Sequence, residues 1–101
     1  MNTILVQLNQ LFERIPRRHS VDNVKEIYNI IDMYEDLLRE IEADPAYEQD
    51  IALFFDELDS IRSVVKKSTD NKASKKAKDV LFDEASGNLK DTMEALKELC
   101  N

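Results

Sequence analysis

The sequence predicts an all-α protein, an antiparallel four-helix bundle with a short first helix and three long ones. Three observations predict it. Apolar residues recur every three to four positions along four separate segments. Glycine occurs once and proline twice in 101 residues, whereas sheets joined by tight turns need more of the residues that fill those turns. Both prolines, Pro16 and Pro45, fall between the periodic segments, where a missing amide hydrogen and a fixed φ end a helix rather than interrupt one.

The first helix is expected from about Asn2 to Arg14. Ile4, Leu8, Leu11 and Ile15 make one apolar face, with Leu5 and Phe12 beside it. Pro16 ends it, because proline disfavours helical geometry in the residue before it, and Pro16-Arg17-Arg18-His19 forms the linker. Ser20 is a good N-cap for a second helix running to about Ala43. Its stripe is Val24, Ile27, Ile31, Tyr34, Leu38 and Ile41, widened by Ile30 and Leu37. Asp44-Pro45 breaks that helix, with Asp44 or a neighbour capping the third and Pro45 suited to its first position. The third helix repeats the seven-residue rhythm in Tyr47, Ile51, Phe54, Leu58, Ile61 and Val65, so both stripes read as bundle seams.

Ser68-Thr69-Asp70-Asn71-Lys72 is a short polar connection, which makes its neighbours antiparallel. The fourth helix is expected from about Lys72 to Leu99. Its core face is Ala73, Ala77, Leu81, Ala85, Leu89, Met93 or Thr92, Leu96 and Leu99. Gly87 costs about 1 kcal/mol relative to alanine inside a helix, so Ser86-Gly87-Asn88 leaves open a continuous helix, a kink, or a break that makes five helices. Cys100 either continues the seam or frays. The whole chain, 1–101, is read as one domain, large enough to bury a core without staples.

Composition narrows the setting. A single cysteine, Cys100, permits no intrachain disulfide and gives an oxidising compartment no support; a cytoplasmic location is the expectation. Met1 to Phe12 lacks the basic and apolar regions of a signal peptide. The longest apolar run is Ile51 to Phe55, far below the roughly 20 residues of a membrane span, so no integral membrane association is expected. The net charge of −7 opposes nucleic-acid binding by the molecule as a whole.

Charge is unevenly placed. Residues 32–59 hold eleven carboxylates against Arg39 alone. Helices two and three therefore form an acidic hairpin, with Asp32, Glu35, Asp36, Glu40, Asp56, Glu57 and Asp59 as its candidate partner-binding residues. Antiparallel order would bring the first and third connections together as a basic end of Arg17, Arg18, Lys66, Lys67, Lys72, Lys75, Lys76 and Lys78. Arg14, His19 and Arg62 are nearby, and Asp70 is the one acid expected to oppose them. Lysines opening the fourth helix sit at the wrong pole of its dipole, which leaves two readings, solvation alone or an anionic partner or acidic neighbouring chain.

No constellation carries chemistry. His19, the single histidine, has no sequence-local acid or nucleophile to orient it. One His and one Cys fall short of a zinc site. No loop shows the ligand spacing of a calcium-binding hand, and no glycine-rich loop offers a phosphate cradle. Cys100 has no basic residue or second cysteine to activate it. Arg17-Arg18-His19-Ser20 resembles a basic-directed kinase site, but Ser20 already serves as a cap. Tyr28, Phe55 and Phe82 are placed toward stripe margins, where a partner could reach them, with packing in the core the favoured reading. The expectation is a non-enzyme with no catalytic residue, metal or cofactor.

In size and helix order the chain resembles the four-helix immunity proteins that protect bacteria from their own bacteriocins, and small acidic phage inhibitors. That resemblance implies a binding protein that inhibits, neutralises or escorts a basic protein partner. Alternatives are a self-associating assembly protein, through the seams and the complementary charged ends, and nucleic-acid contact through the basic end. Abundant Ile, Lys, Asn and Asp suggest an AT-rich bacterial or phage genome.

Overall fold

The computed structural model describes residues 2–100. Met1 and Asn101, the ends of the expected 1–101 domain, lie outside the described residues. The fold is a bundle of four α-helices: α1 (Asn2–Arg14), α2 (Val21–Glu42), α3 (Glu48–Ser68) and α4 (Lys75–Cys100). Consecutive helices pack on one another, α3 on α4 most extensively, and α1 closes the ring by touching both α2 and α4.

Local chemistry sets the ends. Ser20 is extended at φ −159° and accepts a hydrogen bond from the Asn23 amide at 3.0 Å, satisfying one of the orphan donors of α2. Pro45 does not open α3 as expected. The Asp44 side chain instead accepts from the Ala46 amide and the Tyr47 amide bonds back to the Asp44 carbonyl, so a turn intervenes and α3 begins at Glu48. The start of α4 also differs from expectation. Asp70 folds the connection by accepting from the Lys72 amide, and Ser74 caps the helix by accepting from the Ala77 amide at 3.1 Å. Lys72 and Ala73 therefore precede α4 rather than belonging to it.

The core joins Leu8, Leu11 and Ile15 to the stripes from Ile27 to Ile41 on α2 and from Ile51 to Val65 on α3, while Val24 is only partly buried and Tyr47, also partly buried, precedes α3. On α4 the buried face is Phe82, Ala85, Ser86, Leu89, Thr92, Met93, Leu96 and Cys100. Phe82, expected at a margin, is completely buried, while Leu81 and Leu99 are only partly covered. Adjacent helical positions differ by 100°, so two neighbouring apolar pairs left the choice of face to packing. Gly87 lies inside the unbroken α4 with solvent around it; α4 neither breaks nor ends there.

Two polar core residues bind distant backbone. The Ser86 hydroxyl donates to the Pro16 carbonyl at 2.7 Å, and the Tyr34 hydroxyl lies 3.3 Å from the Thr92 carbonyl. Burial raises the Tyr34 phenol above the usual tyrosine range, and the Thr92 hydrogen bond offsets this in part. Burial also pushes the Cys100 thiol up. No described helix is long and apolar enough to cross a membrane.

Candidate functional site

The carboxylates of α2 separate onto two edges of the helix. Asp32 and Glu35 face α3, where Arg62 bonds both of them at 2.9 and 2.6 Å. Glu35 also takes Arg39 at 2.9 Å, one turn along its own helix. Arg62 therefore belongs to the hairpin rather than to the basic end, and Arg39 is not the only cation balancing residues 32–59. The Arg62 side chain is 29% exposed, as is that of Glu35, so this pair is better shielded from solvent than the others.

Asp36 and Glu40 lie on the other edge. With Met33 and Leu37 they form one wall of a groove of about 410 Å³, and Gln7, Gln10, Leu11 and Arg14 of α1 form the other. Arg14 at the groove's end is held by Glu26 at 2.7 Å, and its guanidinium also reaches the Met33 sulfur at 3.6 Å. Arg14 is thereby neutralised within the chain. Met33 is 46% exposed.

On α3, Glu57 lines a second groove against α4 with Ser60, Ile61, Asn88, Asp91, Thr92 and Ala95. Asp56 and Asp59 are exposed on α3. Among the described residues, Asp36, Glu40, Asp56, Glu57 and Asp59 make no ion pair. Phe55 and Tyr28 are partly buried against the core.

The first and third connections do meet. Arg17, Arg18 and His19 share a cleft with Lys75 at the start of α4, and His19 shares another with Thr69, Asn71 and Lys78. The linker is tied down by Ser86 beneath Pro16 and by the His19 ring, which stands edge-on to Phe82 at 5.8 Å. The His19 Nε2 is buried and has no hydrogen-bond partner among the described residues. Asp79 and Asp83 enter the same cleft as Arg17 and Arg18, so Asp70 is not the one opposing acid; helical spacing on α4 delivers two more. Lys66, Lys67, Lys72 and Lys76 are exposed and Lys78 is partly covered.

Lys90 and Lys97 both place an ammonium 5.9 Å from the Phe12 ring centre. These contacts join α4 to α1 and use a partly exposed aromatic that sequence periodicity assigned only to packing. Among the described residues, no group of three or more His, Cys, Asp or Glu side chains gathers where it could hold a metal ion. Comparison with known proteins finds no family model, no curated protein and no solved structure that matches the chain.

Proposed function

We propose that this chain is a small acidic helical binding protein that inhibits, neutralises or escorts a basic protein partner and performs no catalysis of its own. The observation that carries this reading is the surplus of carboxylates on the α2–α3 hairpin. Of the eleven between residues 32 and 59, Asp32 and Glu35 are held by arginines, and the remaining nine make no ion pair among the described residues. Unpaired carboxylates cost little in water, but held at this density along one hairpin they attract a basic surface and speed its arrival.

An antiparallel arrangement is part of the proposal. It is supported by the meeting of Arg62, late in α3, with Asp32 and Glu35 near the middle of α2, and by the two connections that share the Arg17–Lys75 cleft. It places the acidic turn between α2 and α3 at the far end from the lysines. The setting proposed is the cytoplasm of a bacterium or a phage-infected cell, in the manner of immunity proteins and phage inhibitors.

Affinity capture from the source cell, with the natural chain and with a variant carrying Asp36→Lys, Glu40→Lys, Asp56→Lys and Asp59→Lys, tests the reading. A stoichiometric basic protein should be retained by the natural chain at low and moderate salt and lost by the variant. Recovery of no partner by the natural chain would sink the proposal.

A second reading has an observation of its own. The cleft of Arg17, Arg18 and Lys75 supports nucleic-acid contact through the basic end, though Asp79 and Asp83 in the same cleft weaken it. Absence of salt-sensitive binding to any DNA or RNA eliminates that reading. Self-association is less well supported, because the α2 and α3 seams are buried within the chain.

A further inference from the structure

We propose that the groove between α1 and α2 is the docking site for a basic amphipathic helix of the partner, with Met33 as the apolar contact and Asp36 and Glu40 as the charged one. The inference rests on the protein-binding reading above and narrows it to one edge of α2. Three features of the groove distinguish it from the rest of the acidic surface.

Its charge is not cancelled. Asp36 and Glu40 are one turn apart, so their side chains are neighbours about 5–6 Å apart at Cβ. Neither forms an ion pair among the described residues, and Arg14, the cation lining the same groove, is already bonded to Glu26. On the opposite edge of α2, Arg62 neutralises Asp32 and Glu35.

The groove also has an apolar contact. Leu11 and Leu37 form its floor, each 5% exposed, and Met33 stands 46% exposed beside them. An unbranched thioether adapts its shape to whatever apolar side chain approaches. The groove between α3 and α4 holds Glu57 and Asp91, but its other lining is mainly small or polar and includes none of the large exposed hydrophobic residues.

The dimensions fit a helix. Met33 to Glu40 is eight residues, seven steps of helical rise, about 10 Å or two turns. A partner helix laid there would set an apolar side chain against Met33 and Leu37 and lysines or arginines against Asp36 and Glu40, with Gln7 of α1 supplying hydrogen bonds. This is the helix-in-groove mode of recognition.

The probe is an 18-residue amidated peptide of leucine and lysine at helical spacing, with a control in which glutamate replaces lysine. Titration is followed by methyl NMR of the full chain. The lysine peptide should shift the Met33, Leu11 and Leu37 methyls, and the glutamate peptide should not. Met33→Lys should weaken binding at least tenfold, Asp36→Asn with Glu40→Gln should do the same, and Asp56→Asn with Asp59→Asn should stay within twofold. Met33 is exposed, so the first variant folds; a retained helical spectrum checks this.

Shifts confined to α3, with Met33→Lys binding normally, would overturn the groove while leaving the acidic-hairpin reading intact. No binding of the lysine peptide even at low salt would overturn the groove proposal, and recovery of a basic partner by affinity capture would show that the binding reading survives it. A Met33 shift that depends on protein concentration without peptide would mean that a second copy fills the groove, and would also overturn the proposal.

Discussion

The Tyr34 hydroxyl of α2 lies 3.3 Å from the Thr92 carbonyl and 3.4 Å from the Thr92 Oγ1 of α4, joining these helices through the core across 58 residues of sequence. The phenol is completely buried, so its polar end has no access to water and depends on Thr92. Tyr34→Phe removes this link and should cost about 1 kcal/mol at pH 7. The same variant should change the alkaline behaviour. Burial raises the folded phenol's pKa, so above the ordinary tyrosine value of about 10 the unfolded chain releases a proton that the folded chain retains. The Tyr34 contribution is therefore intact below pH 10 and is lost as pH rises beyond it, by up to about 1.4 kcal/mol per pH unit. Urea melts at pH 7 and pH 11 should show a smaller alkaline loss for Tyr34→Phe than for the natural chain.

Phe82 and Leu81 test which face of α4 is inside. Phe82 is completely buried and Leu81 is partly covered. Phe82→Ala should cost about 3–5 kcal/mol, the range for emptying a buried aromatic site. Leu81→Ala should cost less than half of that. Equal losses in chemical denaturation would mean that the face is not set as described.

Gly87 occupies an exposed position inside α4, and a Cβ built there meets nothing within 4 Å. Alanine loses less backbone entropy on folding and is the better helix former. Gly87→Ala should therefore stabilise the protein by about 1 kcal/mol, raising Tm by roughly 4–8 °C for a chain of this size. A fall in Tm on thermal melting would mean that the glycine has a conformational role.

Arg62 holds Asp32 and Glu35 together. Arg62→Gln leaves two neighbouring carboxylates without their shared cation and should cost about 1 kcal/mol or less at low ionic strength. The difference should shrink in 1 M NaCl, where the screening length is about 3 Å. Denaturant melts at two salt concentrations measure it.

The helical class and the core of α2 and α3 were legible in the order of residues alone. Ile27, Ile31, Tyr34, Leu38 and Ile41, and Ile51, Phe54, Leu58, Ile61 and Val65, are all buried as their periodicity requires, because each stripe keeps its rhythm long enough to fix the inner face, with neighbours such as Phe55 and Val64 left at its margin. Ser20 was equally legible, since capping is a matter of neighbouring atoms. The face of α4 was not. Leu81 beside Phe82 and Leu99 beside Cys100 offer two registers, and only packing, with Ser86 bonded to Pro16 and Thr92 to Tyr34, selects between them. Charge followed the same division. The sequence counts the carboxylates of the hairpin, but whether one remains available to a partner depends on which cation folds against it. Arg62 reaches Asp32 and Glu35 from another helix, and Asp36 and Glu40 are left facing the groove with α1. That selection is made by tertiary distance, because a direct ion pair needs its charged atoms within about 4 Å.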